Sequence, residues 1–285
     1  MPIRLTVSDY SVDGKTPVVF DGSKVMERVL DSPIFHTSTY GDGDRQFGDA
    51  MLRMEFPTAP ASWSLTLSPS VGPVLDIVAP PGTVRVFKSN SGSLLAVVDD
   101  DTVIDGPIGK MLGAPGFTYD KYVVFISSNA LEHDAFGYHG AVFLSHRSEE
   151  HVYAYNSWLE GVGDLFSIPS PDAATLSHEV AETIHDAFFG PLVSSTLLWG
   201  DAFGGNRCFQ KFIEVGDAIE DAPGPVQLYK QPVQIGGLQR VYTLQNEALL
   251  PWFERQRPST AMSGAYSFPS TSALTSPAPL TCRTH

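Results

Sequence analysis

Ser177-His178-Glu179-Val180-Ala181-Glu182-Thr183-Ile184-His185-Asp186 gathers metal-binding and proton-handling side chains within about two and a half helical turns. Residues four apart share one face of an α-helix. His178 and Glu182 therefore project together, at the spacing of an HExxH zinc helix with glutamate in place of the second histidine. Glu179 is placed to take a proton from the attacking water rather than to bind the ion. The chemistry these residues can do is metal-dependent hydrolysis. The competing reading is a solvated polar face of an amphipathic helix, with His178 incidental.

A hydrolytic zinc site takes three protein ligands and leaves one position open, so His178 and Glu182 need a third. Glu214-Val215-Gly216-Asp217, about 30 residues on, offers two carboxylates. Glu214 is the expected ligand, and Asp217 either a ligand or the group that orients the motif histidine. Tyr138-His139-Gly140 offers His139 as another ligand and Tyr138 as a hydrogen-bond donor to an oxyanion. His185, three residues after Glu182, can reach an ion from the same helix, while Asp186 is read chiefly as a partner that orients a ligand. One imidazole with carboxylates lowers the net charge at the ion, which admits Mn²⁺ or Fe²⁺ beside Zn²⁺. A purely structural use of the same carboxylates admits Ca²⁺. Asp99-Asp100-Asp101 lacks the alternating oxygen spacing of an EF-hand loop and reads as a solvated turn.

These side chains need a helix and a scaffold to hold it. Pro171-Asp172 is a start signal, Ala173, Leu176, Val180, Ala181, Ile184 and Phe188 recur at helical spacing, and Gly190-Pro191 stops the run. Shorter helices are expected at Ser23–Leu30 and Gln46–Phe56. Strands are expected at Arg4–Val7, Pro17–Phe20, Trp63–Leu67, Val74–Val78, Thr83–Phe87, Leu94–Val98, Tyr122–Ile126, Ala141–Leu144 and His151–Tyr155. After Gly190 the chain reads as irregular. A β-rich stretch followed by a metal-binding helix gives an α+β class, zincin-like, with the helix beneath a sheet. The expected organisation is one catalytic-type domain over 1–256, β-rich through 160 with the metal site in 161–256. A Ser/Thr/Pro-rich flexible tail, 257–285, follows it.

Composition narrows the partners. The net charge of −14, from 32 acidic and 18 basic residues, disfavours nucleic acid and anionic membrane surfaces. An apolar fraction of 42% with mean hydropathy −0.03 is that of an ordinary globule, and no run approaches the length of a membrane span. The first residues lack the apolar core of a signal peptide. That fits a cytoplasmic protein if the chain is complete and an exported one if a signal was removed. Two cysteines, Cys208 and Cys282, form no disulfide framework, and a bridge to Cys282 in the expected tail is not anticipated.

The segment Ser177, His178, Glu179, Glu182, Asp186 resembles an SHExxExxxD helix found in an uncharacterised group of microbial proteins. More distantly it is similar to the HELAE segment of the plant phosphate-induced, exordium-like proteins. The resemblance extends to Tyr138-His139-Gly140, to Glu214-Val215-Gly216-Asp217, and weakly to Gln46–Arg53, covering about residues 40–220. Ala187-Phe188 departs from the Pro and Gly-Trp turn usual after the helix, and Ile219-Glu220 stands where a cysteine is common. Such proteins are regarded as zinc metallopeptidases on the strength of the motif, which implies a metal site. A peptide or small amide is the substrate expected of hydrolysis at such a site. The alternatives are a metal-stabilised binding or structural protein and a metal enzyme of non-hydrolytic chemistry.

Overall fold

A computed structural model describes residues 1–41, 43–118, 120–133, 135–144, 149–167, 170–188, 198–203, 208–210 and 212–277. The chain is α+β, with many short strands and few helices. It divides into two compact units, neither of them continuous in sequence. One comprises Met1–Val29 with Ser70–Glu179, the other Leu30–Pro69 with Val180–His285.

The first unit contains three three-stranded sheets. In one, Ile3–Val7 pairs antiparallel with Val18–Asp21 and parallel with Leu75–Ala79. Its alternation buries Ile3, Leu5 and Val7 and leaves Arg4 and Thr6 half-exposed. Another joins Val84–Lys88, Leu94–Val98 and Ala130–Glu132. In the third, Glu149–Trp158 lies between antiparallel Gly137–Leu144 and parallel Val123–Ser128. The register Tyr138↔Tyr155 and Gly140↔Tyr153 puts these tyrosines on one face, leaving Gly137 and His139 on the other. The tyrosine face joins a core with Phe125 and with Ile104, Ile108 and Leu112 of the helix Thr102–Leu112. Asp99-Asp100-Asp101 forms a largely exposed turn, as expected, and leads into that helix: Asp100 Oδ1 accepts from the Thr102 amide and hydroxyl at 3.0 and 2.6 Å.

The second unit holds a four-stranded sheet ordered Leu238–Gln245, Leu228–Ile235, Ser38–Tyr40, Gly43–Arg45. Its long hairpin falls in a region expected to be irregular, and its two-residue turn is Gly236-Gly237, both at positive φ as such turns require. Trp63–Leu67, expected as a strand, pairs with no strand among the described residues. Its Leu65 amide donates to Asp49 Oδ1 of the helix Phe47–Glu55 and its Leu67 amide to Oε1 of Gln46 just before that helix, each at 2.7 Å, so side chains take the place of ladder partners for these two groups. The stretch from 257, expected to be a loose tail, is packed through Pro277. Tyr266, Phe268 and Leu274 are buried, and Phe268 stacks at a tilt on Tyr40 and Phe47. Small residues between the aromatic anchors hid this in the composition. Cys208 is disulfide-bonded, against expectation; Cys282 lies outside the described residues. Among the described residues no helix is long and apolar enough to cross a membrane.

Candidate metal centre

The motif lies on one continuous helix, Ala174–His185. Its residues through Glu179 count with the first unit and those from Val180 with the second. The Ala174 amide bonds Pro171 O at 3.1 Å and the Ser177 amide bonds Ala173 O at 2.9 Å, closing the first turn after the proline. Ala173, Ala174, Leu176, Val180 and Ala181 are buried as the apolar repeat requires, whereas Phe188, expected on that stripe, lies beyond the helix and is exposed. The polar row is buried too: Ser177, His178, Glu179, Glu182 and Asp186 are all 0–9% exposed. That overturns the solvated-face reading. A carboxylate out of water is costly unless charge or hydrogen bonds compensate it.

Along the helix, His178, Glu179 and Glu182 bring one ligand-capable atom each to within 4.8 Å of one another. Within the second unit, ligand atoms of Glu182 and Glu214 are likewise within 4.8 Å. Two donors on one divalent ion, at about 2.0–2.2 Å each, stand roughly 3–4 Å apart. The ligand atoms of His178, Glu179 and Glu182 could therefore close on such an ion with small adjustments. Glu182 Oε1 also accepts the Gly216 and Asp217 amides at 3.1 and 3.3 Å, and Asp186 Oδ2 accepts the Ile213 amide at 3.3 Å. The helix carboxylates thus hold the Ile213–Asp217 segment and with it Glu214. Asp217 takes part through its backbone and is half-buried.

Within the first unit, His139 Nδ1 lies 3.6 Å from Glu179 Oε2, both side chains being almost fully enclosed. Gly137, on the same sheet face, permits this approach. A Cβ there would stand 2.9 Å from Glu179 Oε1 and 2.8 Å from Thr175 Cγ2 and Tyr155 O. Two expected site residues are engaged elsewhere. His185 Nδ1 lies 2.7 Å from Ala181 O and its Nε2 2.9 Å from both Glu55 carboxylate oxygens, so both ring nitrogens face acceptors and neither offers a metal a lone pair. Burial alone would lower its pKa, but the charge and hydrogen bond of Glu55 outweigh it and hold the imidazole above its ordinary value. Tyr138 lies on the face opposite His139, where its hydroxyl donates to Asp105 Oδ1 at 2.6 Å, not to an oxyanion position. Burial, then the nearby Glu132 and Asp105 charges, drive its pKa up.

Glu55 and Gly137 were not singled out from sequence. Glu55 sits 130 residues from its partner, and only its place at the end of a buried helix could have drawn notice. No protein-family profile, curated protein or solved structure matches the chain.

Proposed function

We propose that the chain is a metal-dependent hydrolase of zincin-like type, in which the motif helix offers His178 and Glu182 to a divalent ion, most fittingly Zn²⁺. The observation that carries this reading is the buried His178/Glu179/Glu182 row with its ligand atoms inside 4.8 Å. The likeness of the SHExxExxxD segment to that of the microbial zinc-peptidase group supports it. When bound, such an ion lowers the pKa of water and polarises a carbonyl. Glu179 accepts the proton of the attacking water and delivers it to the leaving nitrogen of a peptide or small amide. His139, 3.6 Å from that carboxylate, orients Glu179 and is the other imidazole available as a ligand. Asp186 and the Gly216 and Asp217 amides keep Glu182 and the Glu214 segment in place.

A second reading draws on the same amide bonds to Glu182: an ion that only staples the Ile213–Asp217 segment to the helix, without turnover. Elemental analysis of the purified, metal-replete protein tests both. Stoichiometric metal is expected in the parent and in Glu179→Gln, with a sharp loss in His178→Ala. No metal in the parent refutes either reading. Metal retained in Glu179→Gln with hydrolysis of casein or a peptide library abolished supports the enzyme. Metal present in the parent with no hydrolysis of those substrates supports the staple.

A further inference from the structure

A second polar group, on the opposite sheet face from His139, surrounds the start of the helix Thr102–Leu112 within the first unit. The Tyr138 hydroxyl gives its one proton to Asp105 Oδ1 at 2.6 Å. His133 Nε2 stands 3.4 Å from Asp101 Oδ1. Glu132, at the end of the strand Ala130–Glu132, is only 4% exposed; among the described residues the hydrogen-bond donor beside its carboxylate is the Tyr138 hydroxyl, whose single proton it shares with Asp105. Tyr138 and Tyr153 meet edge to face there, with centroids 6.2 Å apart, and Asp101 and Asp105 are exposed. An anion so buried is unfavourable until a proton or a cation joins it.

We propose that this acidic, tyrosine-lined group binds a primary ammonium, with Glu132 and Asp105 as counter-charges and the Tyr138 and Tyr153 rings as its aromatic wall. Tyrosine faces attract organic cations. The site is independent of the proposed metal centre.

Ammonium binding is coupled to a proton. Burial, then the charges of Asp105 and Asp101, push Glu132 up to about 7, against the lowering effects of the Tyr138 hydroxyl and His133. Tyr153 and Tyr155, on the neighbouring strand, are raised chiefly by burial, with a smaller contribution from the Glu132 charge. Below that value the ammonium must displace the proton, so affinity increases with pH and levels off above it.

The test is titration of the full chain with methylammonium chloride and with Nα-acetyl-lysine amide, followed by NMR of tyrosine-ring resonances at pH 6 and pH 8, with sodium chloride as the ionic control. Saturable methylammonium binding is expected, about tenfold tighter at pH 8 than at pH 6. Glu132→Gln should weaken it at least tenfold. Tighter binding of the lysine amide would identify a polypeptide side chain as the source of the ammonium, and equal binding a free amine. No saturable binding, equal competition by sodium, or parent-like binding by Glu132→Gln overturns the proposal. Asp105→Asn, an exposed change, serves where Glu132→Gln does not fold, and parent-like affinity in it is equally fatal.

Discussion

Glu55→Gln is the sharpest probe of the second unit. Glu55 joins three elements: its carboxylate takes His185 Nε2 at 2.9 Å on both oxygens and the Leu250 amide at 3.1 Å, while His185 also faces Ala181 O. Both partners are almost fully enclosed. Breaking a buried ion pair on one side costs roughly 3–5 kcal/mol. Glutamine keeps the volume and an acceptor for the Leu250 amide, so we take the lower end, about 3 kcal/mol. With a denaturant slope of about 2 kcal/mol/M, that is a shift of roughly 1.5 M in urea midpoint. The pH dependence has a definite sign. His185 is held above its ordinary 6.5, so the pair contributes fully below that pH and loses its contribution as the pH rises through the folded-state value. The gap between parent and variant should therefore be widest near pH 6 and shrink toward pH 9, measured by urea melts read by tryptophan fluorescence. A variant within about 0.5 kcal/mol of the parent at pH 6, a small surface-type effect, or a gap that does not change with pH, refutes the charged-pair argument.

Gly137→Ala should cost about 1–3 kcal/mol in a thermal melt, because the new methyl meets Tyr155 O and Thr175 Cγ2 at 2.8 Å with little room to yield. Parent-like stability would show that the sheet and the helix separate easily there. Asp100→Ala removes the acceptor for the Thr102 amide and hydroxyl and should lower the urea midpoint slightly. No change would mean that another group caps the helix.

The motif helix was legible because its apolar residues recur at helical spacing and proline punctuates its start. Its consequence was not, since a polar row reads the same whether water or protein covers it. Only tertiary packing makes Glu182 and Asp186 interior residues. The helix Thr102–Leu112 was missed because Gly106, Pro107 and Gly109 are helix breakers by propensity. The burial of Ile104, Ile108 and Leu112 overrides that preference. The hairpin around Gly236-Gly237 carried a usable turn signal that was passed over. The Glu55–His185 pair had no local signature, because its partners meet only through tertiary folding.

The discontinuity of the two units has a consequence for synthesis. Leu30–Pro69 leaves the ribosome ahead of the 110 residues from Ser70 to Glu179, yet its packing partners begin only at Val180. At about 5–20 residues per second, the helix Phe47–Glu55, with Phe47 and Met51 fully enclosed in the finished protein, waits uncovered for roughly 5–20 s. The first unit can complete itself once Glu179 has cleared the ribosome, so a nascent chain stalled soon after that point should display one finished unit beside an unshielded apolar helix that invites chaperone capture.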